Sequence, residues 1–365
     1  ERLLEGKKGA IVAIEPKTGQ VLCMASAPTY DPRLMVGRDR GKIHKALSKN
    51  PNKPLLNRAI MGQYPPGSTF KPTQALIGLQ EGIINPTVAF PCHHGFNYKG
   101  LHLGCHGHSS PIALIPALGT SCNSYFCWTL YRMFSNRRKY RNVQEAMTVW
   151  KDYQVKMGYG YKLGIDLPGE KRGMIPNAEY YDKAYRKHWN GLTVISISIG
   201  QGEVTATPLQ IANLGATIAN RGYFYTPHVV RSIQGGRLAS QYLTRRYTGI
   251  NSLYYNYVAA GMRRAVLSGT CYAANIPGIE VCGKTGTAEN RGQDHSVFMG
   301  FAPMNNPQIA ISVYVENGGW GADYGVPIGA LLIEQYINGK LSASSEKKAE
   351  VMQHKHISYG VTKSI

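Results

Sequence analysis

Strand-forming sequence stands near the two ends of this chain and scarcely between them, and that distribution limits the possible folds more than any single motif does. Near the start, Ala10-Ile11-Val12-Ala13-Ile14 and Val21-Leu22-Cys23-Met24 flank the turn Pro16-Lys17-Thr18-Gly19, which predicts a hairpin over residues 9–26. Near the other end, strand signals fall at Glu280-Val281-Cys282-Gly283-Lys284-Thr285, at 296–301 and at Ile309-Ala310-Ile311-Ser312-Val313-Tyr314-Val315, followed by a helix over 327–338. The stretch between reads as helical. From Ser68 onward Phe70, Leu76, Ile77 and Leu79 recur near helical spacing behind the stiff entry Pro65-Pro66-Gly67, and further helices are expected over 111–118, 124–133 and 206–220. Bringing the ends together gives an α+β fold, one mainly antiparallel sheet with packed helices and an inserted helical subdomain. The expected division assigns the sheet to about 9–30 and 221–340 and the helical subdomain to about 58–220, with a Cys/His/Gly-rich loop at 90–110. Residues 31–57 form a surface excursion with one short helix, and 341–365 a polar, fraying tail.

The 365 residues, 43% of them hydrophobic, suffice for one large core or two smaller ones. No stretch approaches the roughly 20 apolar residues of a membrane-spanning helix, and Glu1-Arg2-Leu3-Leu4 is not a signal peptide. Because the strand pattern begins by Gly9, the chain is expected to be a piece of a longer protein whose targeting segment lies outside it. Lys and Arg number 41 against 21 Asp and Glu, a formal net charge of +20. The excess concentrates at Arg137-Arg138-Lys139-Tyr140-Arg141 and Lys183-Ala184-Tyr185-Arg186-Lys187. That field suits an anionic membrane, an acidic envelope polymer or plain solubility, and no nucleic-acid-binding signature accompanies it. Seven cysteines cannot all pair internally, so at least one is free or ligating.

Ser68-Thr69-Phe70-Lys71 has the S-x-x-K spacing, which on a helix places a hydroxyl and an amine on one face within hydrogen-bond reach. A neutral Lys71 could take the serine proton if burial, a nearby cation such as Lys284 and the helix dipole lowered its pKa from about 10.4. Alone the spacing decides nothing, since Ser344/Lys347 and Ser345/Lys348 repeat it in the tail, Ser48-Lys49-Asn50 matches S-x-N, and Lys17-Thr18-Gly19 matches K-T-G. Context decides. Ser68 opens a buried helix, Ser121-Cys122-Asn123 breaks two helices, and Lys284-Thr285-Gly286 lies on a strand.

S-x-x-K, S-x-N and K-T-G in this order resemble the signature of penicillin-binding proteins and serine β-lactamases. The likeness extends to Tyr64-Pro65-Pro66-Gly67-Ser68-Thr69-Phe70-Lys71-Pro72, Ser198-Ile199-Gly200-Gln201-Gly202, Ala206-Thr207-Pro208-Leu209-Gln210, Lys284-Thr285-Gly286-Thr287-Ala288-Glu289 and Gly300-Phe301-Ala302-Pro303. From about residue 9 to 338 the chain is similar to a class B penicillin-binding protein transpeptidase domain, with Ser121-Cys122-Asn123-Ser124-Tyr125-Phe126 closest to the elongation-type members, penicillin-binding protein 2. The resemblance implies a D,D-transpeptidase of the bacterial cell envelope, on the periplasmic or outer face of the cytoplasmic membrane, anchored by an N-terminal segment outside this chain. Its donor would be a peptidoglycan stem peptide ending in D-Ala-D-Ala, its inhibitors β-lactams, and its partner a membrane glycan polymerase of the elongation machinery. Ser68 would be the nucleophile, Lys71 its base, Ser121 with Lys284 the proton relay to the leaving amine, and Asn123 the group orienting Lys71 and the donor. Thr285, Gly286 and Thr287 would bind substrate, with the N–H groups of Ser68 and Thr287 as oxyanion hole. A D,D-carboxypeptidase, a β-lactamase or a β-lactam sensor of the same fold is the alternative.

Cys92, Cys105, His108 and Cys122 lie within about thirty residues, and Cys105-x-x-His108 has chelate spacing, so a structural Zn²⁺ held by three thiolates and one imidazole is expected. His94, His102 or His106 could replace His108. A Cys92–Cys105 disulfide or buried thiols are the competing readings. Elongation-type relatives resemble this arrangement in carrying zinc near the cleft through other ligand types.

Overall fold

The structure, a computed structural model, describes residues 1–360. Strand β1 (Gly9–Ile14) turns into β2 (Val21–Ala27) as the hairpin signal requires, and helix α1 (Arg40–Lys49) is the single α-helix of the excursion at 31–57. A 3₁₀ turn, Gly67–Phe70, leads into α2 (Lys71–Gln80), whose second residue, Pro72, occupies the first turn, where its missing N–H has no partner to lose. The Cys/His region is more ordered than a loop. It contains a hairpin of β3 (Gly95–Tyr98) and β4 (Leu101–Gly104), joined through Lys99 and Gly100 at φ 48° and 80°, the left-handed pair that tight hairpin turns need. Phe96 anchors it edge-on to Trp128, ring centroids 4.8 Å apart.

The helical stretch continues with α3 (Leu114–Thr120), α4 (Asn123–Ser135), α5 (Val143–Lys156), α6 (Ala178–Ala184), α7 (Pro208–Ala219) and α8 (Ser252–Ser268). Strands β5 (Cys282–Ala288), β6 (His295–Ala302) and β7 (Ile309–Val315) follow, then α9 (Gly325–Asn338) and α10 (Ala343–His354). The five-stranded sheet runs β2-β1-β7-β6-β5, antiparallel throughout, and the chain ends meet where Gly9 pairs with Val315 and Ile14 with Ala310. The fold is therefore the expected mixture of helices and an antiparallel sheet.

Both faces of this sheet are covered, which explains why β1 and β7 read as continuous apolar runs and not as alternating strands. Ala10, Val12 and Ile14 point into the core shared with the inserted helices, while Ile11 and Ala13 point into a second core with Val326, Ile328 and Ile333 of α9. Two of the expected boundaries need correction. Helix α7, assigned by sequence to the inserted subdomain, lies against β1 and β7, because it is mostly apolar and buried on every side and Ser312 Oγ donates to the Pro208 carbonyl at 2.7 Å. The tail is not frayed over 343–354: Ser342 caps α10, buried Glu334 accepts from Ser342 N–H and from the Ser345 hydroxyl, and Lys7 Nζ donates to the Met352 carbonyl. Only Ala349, Met352 and Ser345 turn inward, too few to show as an apolar period. Of the expected tail, 361–365 lie outside the described residues.

Candidate active site

The site forms where the 3₁₀ turn at Ser68, the break between α3 and α4, and β5 converge. Each is held by backbone geometry that its motif residues explain. The lead-in to Ser68 is pinned by a two-way bridge, Tyr64 N–H to Ala206 O at 2.9 Å and Ala206 N–H to Tyr64 O at 2.8 Å. Thr207 and Gln210 then form a reciprocal capping box that starts α7. Gly67 has φ +55°, and a Cβ there would stand 2.9 Å from the Thr287 carbonyl oxygen, so glycine lets the Ser68 turn press against β5. Gly200 does the same from behind: at φ +71° it accepts the Gly67 N–H at 3.0 Å, and a Cβ would meet Gly67 O at 2.2 Å. Gly200→Ala is accordingly expected to cost about 2 kcal/mol or more in urea unfolding and to slow acylation of Ser68 by a labelled penicillin. A variant as stable and as fast as the parent would show that the buttress is dispensable.

Ser121 closes α3 in the left-handed conformation, φ 59°, and Cys122 immediately caps α4, its Sγ accepting from Tyr125 N–H at 3.3 Å. The sharp turn between the two helices sends Ser121 and Asn123 to the same side. Lys71, fully buried, donates to Asn123 Oδ1 at 2.6 Å, to Ser121 O at 2.7 Å and to Ser121 Oγ at 3.1 Å. Lys284, also fully buried, reaches the same Ser121 Oγ at 2.7 Å and the Thr285 carbonyl at 3.1 Å. Burial pulls Lys71 down to about 8 against the partly opposing field of the neighbouring thiols. Burial and then the Lys71 charge push Lys284 well below the ordinary lysine range. One hydroxyl thus bridges two amines that resist being charged together.

Ser68, Ser121, Asn123, Thr285 and Thr287 line one cleft of about 550 Å³. Ser68 Oγ makes no hydrogen bond among the described residues, the Lys71 donors being taken by Ser121 and Asn123. Gly286, expected to bind substrate, also has a packing role. A Cβ on it would meet Pro66 O, Thr69 Cγ2 and Val297 Cβ at 3.1 Å each, so its missing side chain admits the Ser68 turn. The cleft also takes in residues to which the sequence reading gave no part in it. Thr270 Oγ1 accepts from Thr285 Oγ1 at 2.9 Å, and Gln201, His106, Glu289, Asp294 and Trp320 complete the walls. Gln201 sits inside the Ser198–Gly202 stretch already matched, which was the available signal for it; Thr270 and Trp320 stand in short glycine-flanked loops that carry none.

Beside Asn123, one ligand atom each from Cys92, Cys105, His108 and Cys122 lies within 4.8 Å of all the others. Cys105 Sγ and His108 Nε2 are 3.6 Å apart, close to the ~3.5 Å edge of a tetrahedron with Zn–S near 2.3 Å and Zn–N near 2.05 Å. His108 Nδ1 bonds the Ser109 carbonyl at 2.8 Å, which commits Nε2 to face the thiols. The Cys122 thiol, then the Asn123 N–H and His108, pull Cys105 down to about 4, while the same thiol contact pushes Cys122 upward. All seven cysteines are free, so Cys92 and Cys105 are not joined. His106 turns away to the Thr120 carbonyl and His102 to Asn97, neither being in the cluster. This donor set fits zinc. The decoy motifs fall elsewhere, Ser344/Lys347 and Ser345/Lys348 on α10, Ser48-Lys49-Asn50 at the end of α1 and Lys17-Thr18-Gly19 in the β1–β2 turn.

An antiparallel sheet covered on both faces, with Ser-x-x-Lys, Ser-x-Asn and Lys-Thr-Gly converging at one cleft, defines the class. The chain belongs to the penicillin-binding protein transpeptidase domain family, whose family model matches residues 9–334. Among curated relatives it is 35% identical over 346 residues to the peptidoglycan D,D-transpeptidase MrdA of Acinetobacter baumannii, covering 87% of this chain and 49% of that protein. It is 32% identical over 355 residues to MrdA of Escherichia coli, covering 89% and 54%. The chain thus spans about half the length of these relatives. A solved structure of Pseudomonas aeruginosa penicillin-binding protein 2 in complex with WCK 5153 superposes with a TM-score of 0.79 at 32% identity, covering 94% of this chain and 77% of that one.

Proposed function

We propose that the chain is the catalytic part of a peptidoglycan D,D-transpeptidase of cell-wall elongation, cross-linking stem peptides through an acyl-enzyme on Ser68. The observation that carries this is Ser121 Oγ held between two buried amines, 3.1 Å from Lys71 and 2.7 Å from Lys284, in the cleft that opens on Ser68. In the free protein the shared field keeps one of the two lysines neutral. A donor carboxylate bound at Thr285, Thr287 and Lys284 favours charge on Lys284, and Lys71 is then the neutral one. Lys71 takes the Ser68 proton as Oγ attacks the penultimate carbonyl, and the N–H groups of Ser68 and Thr287 receive the oxyanion. The proton passes by way of Ser121 to the departing D-Ala amine. The amine of a second stem peptide then attacks the ester, Lys71 removes its proton, and Ser68 is regenerated with a new amide bond. Asn123 positions Lys71 and, with its amide, the donor backbone.

Cys92, Cys105, His108 and Cys122 would hold a structural zinc, which supplies rigidity and no step of the acyl transfer. The loop so pinned touches Asn123 twice, through Gly104 O, which accepts from Asn123 Nδ2 at 2.7 Å, and through Cys105 Sγ, which accepts from Asn123 N–H at 3.3 Å. Envelope localisation follows from the substrate; among the described residues no helix is long and apolar enough to cross a membrane. A partnership with a glycan polymerase is supported by the likeness to a solved peptidoglycan synthase complex coordinating polymerization and crosslinking, TM-score 0.79 at 31% identity.

A labelled penicillin tests the reading. A persistent adduct on Ser68, with an amide product formed from two stem peptides, is the expected result. Rapid turnover of the label would establish a hydrolase, and a stable adduct with no cross-linked product a sensor.

A further inference from the structure

The two basic clusters, some forty residues apart in sequence, flank helices that pack together in the fold. Asp182, between them, is turned inward and accepts from Gln144 Nε2 of α5 at 2.9 Å and from Trp189 Nε1 at 2.7 Å. Gly191 lies against the end of α4, where a Cβ would stand 3.1 Å from Phe134 Cβ. These contacts tether the segment carrying Arg137, Arg138 and Arg141 to the one carrying Lys183, Arg186 and Lys187, and all six are exposed. Arg141 pairs with Glu145 at 3.3 Å, and among the described residues no ion pair joins the other five to a carboxylate. Arg186 and Lys187 are held consecutively at φ 50° and 64°, a left-handed conformation that non-glycine residues adopt only at a cost. Lys187 N–H returns to the Asp182 carbonyl and His188 N–H to that of Tyr185, so the turn keeps both cations outward. Two exposed rings stand among the charges, Tyr180 at 42% and Tyr185 at 41%.

The surface has a defined relation to the cleft. Helix α4 starts at Asn123, in the active site, and its 13 residues end at Ser135, immediately before Arg137. At 1.5 Å per residue this is about 18 Å. Cations at that end also complement the negative end of the helix dipole.

We infer that this surface is a secondary binding site for the wall polymer itself, its arginines and lysines contacting stem-peptide carboxylates and Tyr180 and Tyr185 lying against saccharide rings of a strand whose reacting peptide occupies the cleft. The inference rests on the transpeptidase reading for the identity of the polymer. A glycan bearing carboxylate-tipped peptides presents both chemistries that the surface offers, and a single helix, α4, runs from the cleft at Asn123 to Ser135, two residues short of Arg137. An anionic lipid surface would use the charges but has no reason to share α4 with the cleft.

Co-sedimentation separates these cases. The chain is mixed at low salt with purified peptidoglycan sacculi, with sacculi whose carboxylates have been amidated, and with phosphatidylglycerol vesicles. Acylation by a labelled penicillin is measured in parallel. Pelleting with native sacculi is expected, about tenfold weaker with amidated sacculi and about tenfold weaker for the R137Q/R138Q/K183Q/K187Q variant, whose penicillin labelling stays at the parent rate and so reports an intact fold. Unchanged pelleting of the variant, equal pelleting with amidated sacculi, pelleting with vesicles alone, or no pelleting at all would overturn the inference. Failure of Ser68 to label while charge-dependent sacculus binding persists would count against the transpeptidase reading and leave the surface standing.

Discussion

Replacing Lys71 by Met is expected to lower the rate of Ser68 acylation by about 10³-fold, the middle of the range for losing a positioned general base. Methionine keeps the buried volume and removes the charge without leaving a cation stranded. Lys284 still donates to Ser121 Oγ, so the loss reports Lys71 and not collapse of the site. Lys71→Arg should fail as badly, because guanidinium keeps the charge but cannot become neutral. The pH profile gives an independent check. A base works in its deprotonated form, so acylation by the parent should rise about tenfold per pH unit below about 8 and flatten above it. An ordinary lysine would place that bend near 10.4, and burial is what moves it down. The Met variant should lose the bend together with the rate. Activity within tenfold of the parent, or a bend that survives the substitution, would remove Lys71 from the role of base.

The sheet was legible because apolar, β-rich runs such as Gly9–Ile14 and Ile309–Val315 cannot be exposed and stand near opposite ends of the sequence, and these two pair in the fold. Ser68, Lys71, Ser121, Asn123 and Lys284 were legible because three motifs fell in one order in compatible contexts. Side-chain traffic was less so. Spacing places Lys71 beside Ser68, but the Lys71 donors go to Ser121 and Asn123, contacts set by the left-handed turn at Ser121 that S-x-N does not announce. Gly286 shows the same limit. Its place in K-T-G marks it as a substrate-binding candidate, whereas the close packing of Pro66, Thr69 and Val297 against it shows only in the fold. Helix α10 was missed because a helix held by one buried carboxylate, Glu334, and a few inward residues has almost no hydrophobic period.

Purified protein is expected to hold one zinc per chain, and stripping it should lower Ser68 acylation by about 10- to 100-fold while leaving Ser68 able to label at long times. Asn123 links the cluster to Lys71. Its side chain is fixed at one end by Lys71, 2.6 Å from Oδ1, and at the other by Gly104 O, 2.7 Å from Nδ2, while its backbone N–H rests on Cys105 Sγ. Gly104 and Cys105 belong to the cluster loop, so any loosening there moves Asn123 and with it the amine that must face Ser68. Without a cation, Cys105 is drawn toward the thiolate, contact with Cys105 and then burial hold Cys122 as a thiol, and burial holds Cys92 so, all within 4.8 Å of one another. A divalent ion removes that conflict, because thiolate is the form it binds. Cobalt substitution gives a readout separate from activity: thiolate-to-cobalt charge transfer should appear in the parent and weaken in Cys105→Ser, and thermal stability should fall on chelation. Metal-free protein with Cys92 and Cys105 joined in a disulfide, or acylation unchanged after stripping, would show that the loop holds Asn123 without a metal.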